Sequence, residues 1–172
     1  YERNEISLRR KEGLDLYKGW YSVEGKALPK SAVTQITENG INYLVDVENG
    51  QKTGFFLDQK YNRAAVSRIC EGKTVLDCFT HTGSFGLNAA YGKASHVTSV
   101  DISETAIQMA KENAARNGLS DKLTYECADV FDYLTDLSQR KSREFDFIIL
   151  DPPAFTKSRD TVGSAGRGYK EI

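Results

Sequence analysis

The sequence predicts an α/β protein in which a parallel, doubly wound sheet follows a small antiparallel β-meander. After Gly72, short apolar segments alternate with helical segments of about 10–15 residues, which is the pattern of parallel strands joined by right-handed crossovers. Before Gly72, two Asn-Gly pairs separate alternating segments, and Asn-Gly favours two-residue hairpin turns. We therefore predict a lead-in segment and β-meander lobe over 1–57 and a partial sheet domain of about four parallel strands over 58–172.

The meander is predicted to have three strands over about 32–57, with turns at Asn39-Gly40 and Asn49-Gly50. Between the turns, apolar Ile41, Tyr43 and Val45 alternate with other residues, as expected of a half-buried strand. A helix from about 58 to 69 follows. The predicted elements after it are strand Thr74–Cys78, a helix that ends near Tyr91, strand His96–Asp101, a helix capped by Ser103, strand Lys122–Cys127, a helix capped by Asp129, and strand Phe145–Leu150.

Composition excludes several classes of protein. No apolar run approaches the roughly 18 residues of a membrane span, so we predict no membrane association. The formal net charge is -1, so no global basic field attracts nucleic acid. The three cysteines form no C-x-x-C, which predicts free buried thiols in a reducing cytoplasm, and two histidines predict no metal site. Because the chain begins at Tyr1, we expect it to be part of a longer protein.

Four acidic residues lie at or just beyond the ends of the four predicted strands: Asp77, Asp101, Asp129 and Asp151. Ligands of doubly wound sheets bind beyond the carboxyl ends of the strands, so these carboxylates are expected to share one rim. The alternative is that each aspartate only caps the following helix, which is most plausible for Asp129.

The turn after the first strand of the sheet argues against a dinucleotide. It contains Gly83, which allows a close backbone approach to a ligand, but it lacks the full G-x-G-x-x-G of a pyrophosphate site. S-adenosylmethionine (SAM) carries no phosphate. We expect Asp77 to face its ammonium group and Asp101 to accept both ribose hydroxyls. Asp129 would accept from the adenine amino group, and the Val130 backbone would donate to the ring. The sequence therefore favours SAM over NAD.

The run Asp151-Pro-Pro-Ala-Phe155 predicts a rigid edge after the last strand. Such an edge can present the Asp151 carboxylate and the Pro152 carbonyl to a planar substrate, and Phe155 can stack on a base. The alternative is a turn that ends the strand and buries a core phenylalanine.

These motifs together resemble a known family. Lys52–Gln59 with Arg63, Val75–Phe85, Val100–Ser103, Asp151–Phe155 and Arg167–Ile172 strongly resemble bacterial large-subunit (23S) ribosomal RNA cytosine-C5 methyltransferases over nearly the whole chain. The resemblance implies a Rossmann-like class I methyltransferase sheet and SAM as cofactor. It also implies a preceding PUA domain, which this chain lacks. His81 and Ser84 stand where that family often has Tyr and Gly.

The strand ends and the resemblance together give a set of expected site residues. Asp151 is the expected catalytic residue, through a hydrogen bond to N3 of a cytosine flipped out of its stack. The base is expected to contact Pro152, Pro153, Phe155, Lys52 and Arg63. SAM is expected to contact Gln59, Asp77, Phe79, Thr80, Thr82, Gly83, Ser84, Phe85, Asp101, Ile102, Ser103, Asp129, Val130 and Asp151.

The resemblance further implies a nucleophilic cysteine, which that family carries beyond the position of residue 172; neither Cys70, Cys78 nor Cys127 lies beside the Pro-Pro motif. The expected partner is ribosomal RNA, with local contacts from Lys157, Arg159, Arg167 and Lys170. An uncovered edge beside Asp151 predicts self-association, such as a homodimer.

Three other functions stay open. The first is an exocyclic-amine methyltransferase of RNA or DNA bases, although Ala154 separates the prolines from the aromatic residue here. The second is a small-molecule methyltransferase, which the meander and the Pro-Pro edge disfavour. The third is a non-catalytic module that binds the cofactor or RNA.

Overall fold

The computed structural model describes residues 1–156, 166, 168–170 and 172. The chain divides into two compact units. The first consists of Tyr1–Ile36 and Leu44–Leu57, and the second consists of Thr37–Tyr43 and Asp58–Ile172. The second unit thus takes a short segment from the first third of the chain, a division that hydrophobic periodicity along the sequence does not reveal.

The first unit contains two short strands that the sequence pattern did not predict. Strand β1 (Glu2–Asn4) pairs antiparallel with β2 (Tyr17–Gly19), and the single-turn helix α1 (Leu8–Lys11) lies between them in sequence. The Arg3 guanidinium donates to the Gly50 carbonyl at 2.6 Å and to the Lys52 carbonyl. Strands of three residues are too short to show a period of two, so only tertiary contacts could reveal them.

The first predicted hairpin is confirmed. Strand β3 (Val33–Glu38) and strand β4 (Ile41–Asp46) form a two-stranded sheet joined by Asn39-Gly40. Both turn residues have positive φ, 53° and 82°, as a type I′ turn requires. The predicted alternation also holds, because the side chains of Ile41, Tyr43 and Val45 are buried.

The third predicted strand of the meander is wrong, because residues 47–56 form successive turns. The Asp46 side chain accepts the backbone N–H groups of Glu48 and Asn49, both at 2.9 Å, and its carbonyl accepts the N–H of Gly50 at 3.0 Å. A carboxylate that binds nearby backbone groups in this way competes with strand pairing. The small antiparallel sheet therefore ends at Asp46.

In the second unit, helix α2 (Lys60–Ile69) follows a 3₁₀ turn at Leu57–Gln59. The predicted helix is confirmed. The sheet and its helices follow at positions close to those predicted. Their bounds are β5 (Thr74–Cys78), α3 (Ser84–Tyr91), β6 (His96–Asp101), α4 (Glu104–Arg116), β7 (Leu123–Cys127), α5 (Val130–Gln139) and β8 (Phe147–Leu150).

The four strands lie in the order β7-β6-β5-β8, and every neighbouring pair is parallel. From β5 the chain proceeds to β6 and β7 on one side, and α5 then returns it to the other side of β5, where β8 pairs. Ligands of such sheets bind at the carboxyl ends where the strand order reverses, here between β5 and β8. The predicted fold class, a partial Rossmann-like sheet with a small antiparallel sheet before it, is confirmed.

The core of the second unit lies between the sheet and its helices. Val75 and Leu76 of β5 and Leu87 of α3 are fully buried. Gly86 permits α3 to lie against the sheet, because a Cβ atom there would approach Ser99 Oγ to 2.6 Å. This close approach sets the start of α3 against the end of β5, where the candidate site begins.

The edges of the sheet are exposed. Cys70 and Cys78 are buried thiols as predicted, but the prediction for Cys127 is wrong, because it ends the edge strand β7 and is exposed. On the opposite edge, Ile148 and Leu150 of β8 are 51% and 44% exposed. The self-association expected from this edge stays a prediction. Among the described residues, no helix has the length and apolar character needed to cross a membrane.

Candidate cofactor and substrate site

The four predicted carboxylates lie at or just beyond the carboxyl ends of the four parallel strands, as expected. Asp77 is the penultimate residue of β5, Asp101 is the last residue of β6, Asp129 follows β7 by two residues, and Asp151 directly follows β8. The parallel registers place these strand ends side by side, since Asp77 pairs with Ser99 and Asp101 lies two positions further along β6. We call this set of four aspartates the carboxylate rim.

Asp77 lies beneath the turn that follows β5 and is 1% exposed. Its Oδ2 atom accepts the hydroxyl of Thr80 and, at 2.8 Å, the backbone N–H of Gly86. Burial raises the pKa of Asp77 to about 7, against the lowering effect of these two donors, and the charges of Asp151 and Asp101 raise it further. Asp77 thus orders the turn through Oδ2, and its predicted contact with an ammonium group stays a prediction.

The turn itself has an unusual backbone. Phe79 and His81 have φ values of 58° and 52°, in the left-handed region that non-glycine residues rarely adopt. Gly83 has a φ of 81°, and a Cβ atom there would lie 2.9 Å from Ala110 Cβ. Close packing against α4 and the positive φ are therefore two structural reasons for Gly83, and the ligand approach that the sequence suggested stays a prediction.

Asp101 connects two loops of the rim. Its Oδ2 atom accepts the N–H of His81 at 2.8 Å, and its Oδ1 atom accepts the N–H of Ser103 at 2.9 Å. Each carboxylate oxygen has a second lone pair, so both can still accept a ribose hydroxyl. Burial lowers the pKa of His81, although the charge of Asp101 acts in the opposite direction.

The hydrogen bonds of the turn disfavour a pyrophosphate ligand. A diphosphate would require free backbone N–H groups at the start of a helix. Here the N–H of His81 is bound to Asp101, that of Gly86 to Asp77, and that of Thr80 to the Val100 carbonyl. Three backbone N–H groups of this segment are thus already occupied, two of them by carboxylates that would repel a phosphate. The donors and acceptors that remain suit an uncharged ribose and an ammonium.

The predicted cofactor contacts in α3 and its turn are held by buried amides. The Asn113 side chain donates to the Thr82 carbonyl at 3.2 Å. The fully buried Asn88 donates to the Ser84 carbonyl and to the Tyr43 hydroxyl, both at 2.8 Å. These contacts fix the first turn of α3 at the rim, and sequence reasoning missed both amides because nothing local distinguishes them from surface residues.

The loops after β6 and β7 hold the two predicted helix caps. The Ser103 hydroxyl accepts the N–H of Ala106, and the Asp129 carboxylate accepts the N–H of Phe131 at 2.8 Å. Asp129 is therefore a helix cap, whatever else it binds. The neighbouring Val130 side chain belongs to the buried core, whereas Ile102 is 69% exposed and offers the rim an apolar surface.

Asp151 differs from the other rim carboxylates because it is exposed and its hydrogen bond comes from a distant side chain. Its Oδ2 atom accepts the amide N–H of Gln59 at 3.1 Å. Partial desolvation among its neighbours raises the pKa of Asp151, the charge of Asp58 raises it further, and the charge of Arg63 lowers it. Gln59 was predicted to contact SAM, and the structure instead brings it to the carboxylate that was predicted to contact the base.

Arg63 is 1% exposed and lies against Glu38 at the tip of the first hairpin, where its Nε donates to the carboxylate at 2.7 Å. Its guanidinium carbon lies 5.9 Å from the centroid of the Phe85 ring. The buried position does not support the predicted contact of Arg63 with substrate. Lys52, the other predicted basic contact, belongs to the other compact unit, where its ammonium lies 5.0 Å from the Phe56 ring.

A row of aromatic rings runs from the turn after β5 to the segment after β8. Phe79 and Phe131 have ring centroids 6.3 Å apart, Phe131 and Phe155 are 5.7 Å apart, and Phe155 and Tyr169 are 4.6 Å apart. Phe155 therefore packs into this row, and sequence reasoning missed the other rings of the row beyond Phe79. Pro152 is half-buried and Pro153 is exposed. Lys157, Arg159 and Arg167 lie outside the described residues, and Lys170 is exposed.

The described residues contain no group of three or more histidine, cysteine or acidic side chains arranged to hold a metal ion. Two of the cysteines, Cys70 and Cys78, have raised pKa values. Burial and the charge of Asp77 raise the pKa of Cys78 to about 12, and burial also raises the pKa of Cys70. Neither thiol is ionised at neutral pH, so neither has the thiolate that nucleophilic catalysis requires.

Comparisons with known proteins agree with this geometry. Two proteins named Ribosomal RNA large subunit methyltransferase I, from Shewanella amazonensis and Aeromonas salmonicida, are 47% and 45% identical over the whole of this chain. The chain spans 42% of the length of each of these relatives.

Among solved structures, a protein described as a methyltransferase in complex with SAH superposes with a TM-score of 0.68 at 34% identity, over 80% of this chain and 36% of the other. A SAM-dependent methyltransferase from Agrobacterium tumefaciens gives a TM-score of 0.69 at 28% identity, over 81% and 45% of the two chains. Residues 8–168 match the family described as S-adenosylmethionine-dependent methyltransferase. The predicted cofactor is thereby confirmed, and the chain belongs to the family of S-adenosylmethionine-dependent methyltransferases.

Proposed function

We propose that this protein transfers a methyl group from SAM to C5 of a cytosine in large-subunit ribosomal RNA. The observation that carries the proposal is the exposed Asp151, which directly follows β8 at the switch point of the sheet and precedes two prolines. The names of the relatives support ribosomal RNA as the substrate. The motif resemblance described above supports cytosine, and the family supports the cofactor. The site of action that fits this substrate is the cytoplasm.

The rim offers the cofactor a set of partners without phosphate-binding character. We assign the ribose hydroxyls to Asp101, whose two oxygens each keep a lone pair, and the adenine face to the exposed Ile102. The Asp129 carboxylate and the start of α5 lie where the adenine edge would be read. When bound, SAM supplies an electrophilic methyl group, and the chain's own residues orient the group and exclude alternative ligands.

The target base has to leave its stack to reach the methyl group. In the proposed complex, the Asp151 carboxyl in its protonated form donates a hydrogen bond to N3 of the cytosine, which is an acceptor. Phe155 contacts the base from the segment that follows the prolines. Because cytosine C5 is a weak nucleophile, a cysteine thiolate first adds to C6 and makes C5 more nucleophilic. After C5 is methylated, a base removes the proton from C5 and the C6–S bond breaks, which releases the thiolate. We propose that this cysteine lies outside the 172 residues, since Cys70 and Cys78 are buried thiols with raised pKa values.

The first experiment is a calorimetric titration of the protein with SAM, in which we expect clear binding. The second incubates large-subunit ribosomal RNA with methyl-labelled SAM and analyses the digested nucleosides by mass spectrometry. A chain extended to the length of the relatives should yield 5-methylcytidine, and the 172-residue chain should bind SAM without completing the reaction. Efficient methylation by the 172-residue chain alone would show that the cysteine assignment is wrong.

The nucleoside analysis also tests the alternatives. A methylated exocyclic amine on adenosine or guanosine would replace the cytosine proposal by the first alternative. Binding of SAM and RNA without any methylated nucleoside, in the extended chain as well, would instead indicate a non-catalytic module. Ala154 between the prolines and Phe155 is the sequence feature that favours the C5 reaction over the exocyclic one.

A further inference from the structure

We propose that Gln59 is a positioning residue that holds the Asp151 carboxylate toward the target base, and that it is not a ligand of SAM. The inference rests on the proposed function, because it takes Asp151 as the carboxylate that faces the base. It departs from the expectation that Gln59 contacts the cofactor, and it assigns a function to the 3₁₀ turn that precedes α2.

A chain of two side-chain hydrogen bonds fixes Gln59. Its amide nitrogen donates to Asp151 Oδ2 at 3.1 Å, and its amide oxygen accepts the side-chain N–H of Asn62 at 2.6 Å. An amide turned the other way would place an oxygen against the carboxylate and an NH₂ group against the NH₂ of Asn62, and both contacts would be repulsive. The Asp151 carboxylate, which only accepts, therefore sets which end of Gln59 it meets, and the Asn62 amide supplies the donor for the Gln59 oxygen.

The hydrogen bond occupies one side of the carboxylate and leaves the other available. Among the described residues, the hydrogen bonds of Asp151 are confined to Oδ2, so Oδ1 can meet the edge of a base. A carboxylate on a chain segment that directly follows a strand can rotate, and a donor fixed to a helix limits that rotation. This is the precision that a group hydrogen-bonded to N3 requires.

Charged neighbours shift the pKa of Asp151, and the hydrogen bond from Gln59 acts on the same carboxylate. Asp58, which directly precedes Gln59, raises the pKa of Asp151, and Arg63, which lies in α2, lowers it. Asp77, at the end of the neighbouring strand, has its own pKa raised by Asp151, so the two carboxylates also interact. A donated N–H group favours the ionised form of Asp151, and its removal should favour the protonated form.

The test combines two measurements on the same variants. The titration of Asp151 is followed by ¹³C NMR of carboxyl-labelled aspartate, assigned with Asp151→Asn, and SAM affinity is measured by calorimetry. We expect Gln59→Leu to raise the pKa of Asp151 by about 0.4–1 unit, the equivalent of one hydrogen bond. Gln59→Glu should raise it further, because it adds a like charge. SAM affinity should stay within about twofold in Gln59→Leu, as for a residue with no ligand contact to lose.

Two further variants keep the test decisive. Gln108 on α4 also donates its amide to a carboxylate, that of Glu112, at 3.1 Å, and Gln108→Leu should change neither measurement. Asn62→Ala keeps Gln59 but removes the donor that its amide oxygen accepts, so it should raise the pKa of Asp151 by less than Gln59→Leu does. This variant replaces Gln59→Leu in the test if Gln59→Leu does not fold.

The outcomes separate this inference from the proposed function. An unchanged titration of Asp151 in both Gln59→Leu and Gln59→Glu would overturn the inference. A loss of SAM affinity of tenfold or more in Gln59→Leu, without a change in the titration, would restore Gln59 as a cofactor ligand. If the wild-type protein binds no SAM, the proposed function fails instead, and the titration arm still decides whether Gln59 controls Asp151.

Discussion

Asp77 and Asp151 lie at neighbouring strand ends of the same sheet, yet they have opposite environments. Asp77 is buried, and it accepts a backbone N–H and a hydroxyl from the turn that follows it. Asp151 is exposed, and its hydrogen bond comes from a side chain 92 residues earlier in the sequence. Both carboxylates accept through Oδ2, but the first is enclosed by its own turn, whereas the second is exposed and held by a distant side chain.

This difference shows what a strand-end aspartate can mean. A carboxylate whose partners are donors of its own turn is committed to local structure, as with Asp77 and the capping Asp129. A carboxylate held by a distant side chain remains free to meet a ligand. Asp101 combines both roles, since backbone groups fix its oxygens while each keeps a lone pair. The following predictions test this division, in order of decreasing expected effect.

The largest effect should be the pH dependence of stability that Asp77 imposes. Burial raises the pKa of Asp77 to about 7 in the folded protein, from 3.8 in an ordinary environment. Between these values the folded protein keeps a proton that the unfolded chain releases. The free energy of unfolding should therefore fall by up to about 4 kcal/mol as the pH rises from about 4 to about 7. Urea denaturation at a series of pH values measures this change.

Asp77→Asn is the matched variant for this titration. It keeps an oxygen that can accept from Thr80 and Gly86 but cannot ionise, so its stability should depend on pH much less over the same range. Parallel stability curves for the wild-type protein and the variant would contradict the prediction and would place the titration elsewhere.

The second effect compares the same substitution at the two strand ends. Asp77→Ala should lower the free energy of unfolding by about 2–3 kcal/mol, because the buried donors of Thr80 and Gly86 lose their acceptor. Asp151→Ala should change it by no more than about 0.5 kcal/mol, as is usual for an exposed side chain. Denaturant titration at pH 7 measures both. Equal losses in the two variants would remove the distinction between a structural and a free carboxylate.

The third effect concerns cofactor affinity. Asp101→Ala should weaken SAM binding by about 1–3 kcal/mol in calorimetry, since the ribose hydroxyls would lose their acceptor. Asp121→Ala, an exposed residue in the 3₁₀ turn before β7, is the control and should bind as the wild type does. Because Asp101 also connects two loops, circular dichroism of the variant should accompany the titration. Unchanged affinity in a folded variant would contradict the assignment.

The smallest effect separates capping from ligand binding at Asp129. Asp129→Ala should lower the free energy of unfolding by about 1 kcal/mol through the loss of the α5 cap. Asp129→Ser keeps a capping oxygen and should restore most of that stability. If Asp129 also reads adenine, Asp129→Ser should bind SAM more weakly despite its stability; wild-type affinity in this variant would leave Asp129 as a cap alone.

Much of the fold could be predicted from the sequence because the patterns that specify it are local. The apolar strands, the Asn39-Gly40 turn and the caps Ser103 and Asp129 each follow from a few neighbouring residues, and the structure confirms them. The third strand of the meander failed because the Asp46 side chain binds the following backbone, which periodicity does not register.

The site could be predicted only in part from the sequence, for a related reason. The carboxylate rim follows from strand ends and parallel pairing, but the partner of each carboxylate does not. Gln59 meets Asp151 across 92 residues, and Arg63 meets Glu38 across 25. These pairs depend on how elements pack, so the sequence placed Gln59 and Arg63 near the right chemistry without identifying their actual neighbours.

The buried ion pair between Glu38 and Arg63 has a practical consequence for dissecting this protein. A truncation that starts at residue 58 would keep α2 and every strand of the parallel sheet, but it would remove Glu38. Arg63, which is 1% exposed in the intact chain, would then lose the carboxylate that its Nε meets, and breaking a buried pair in this way costs about 3–5 kcal/mol. Expression of the sheet alone therefore requires the short segment Thr37–Tyr43 to be retained or Arg63 to be replaced by an apolar residue.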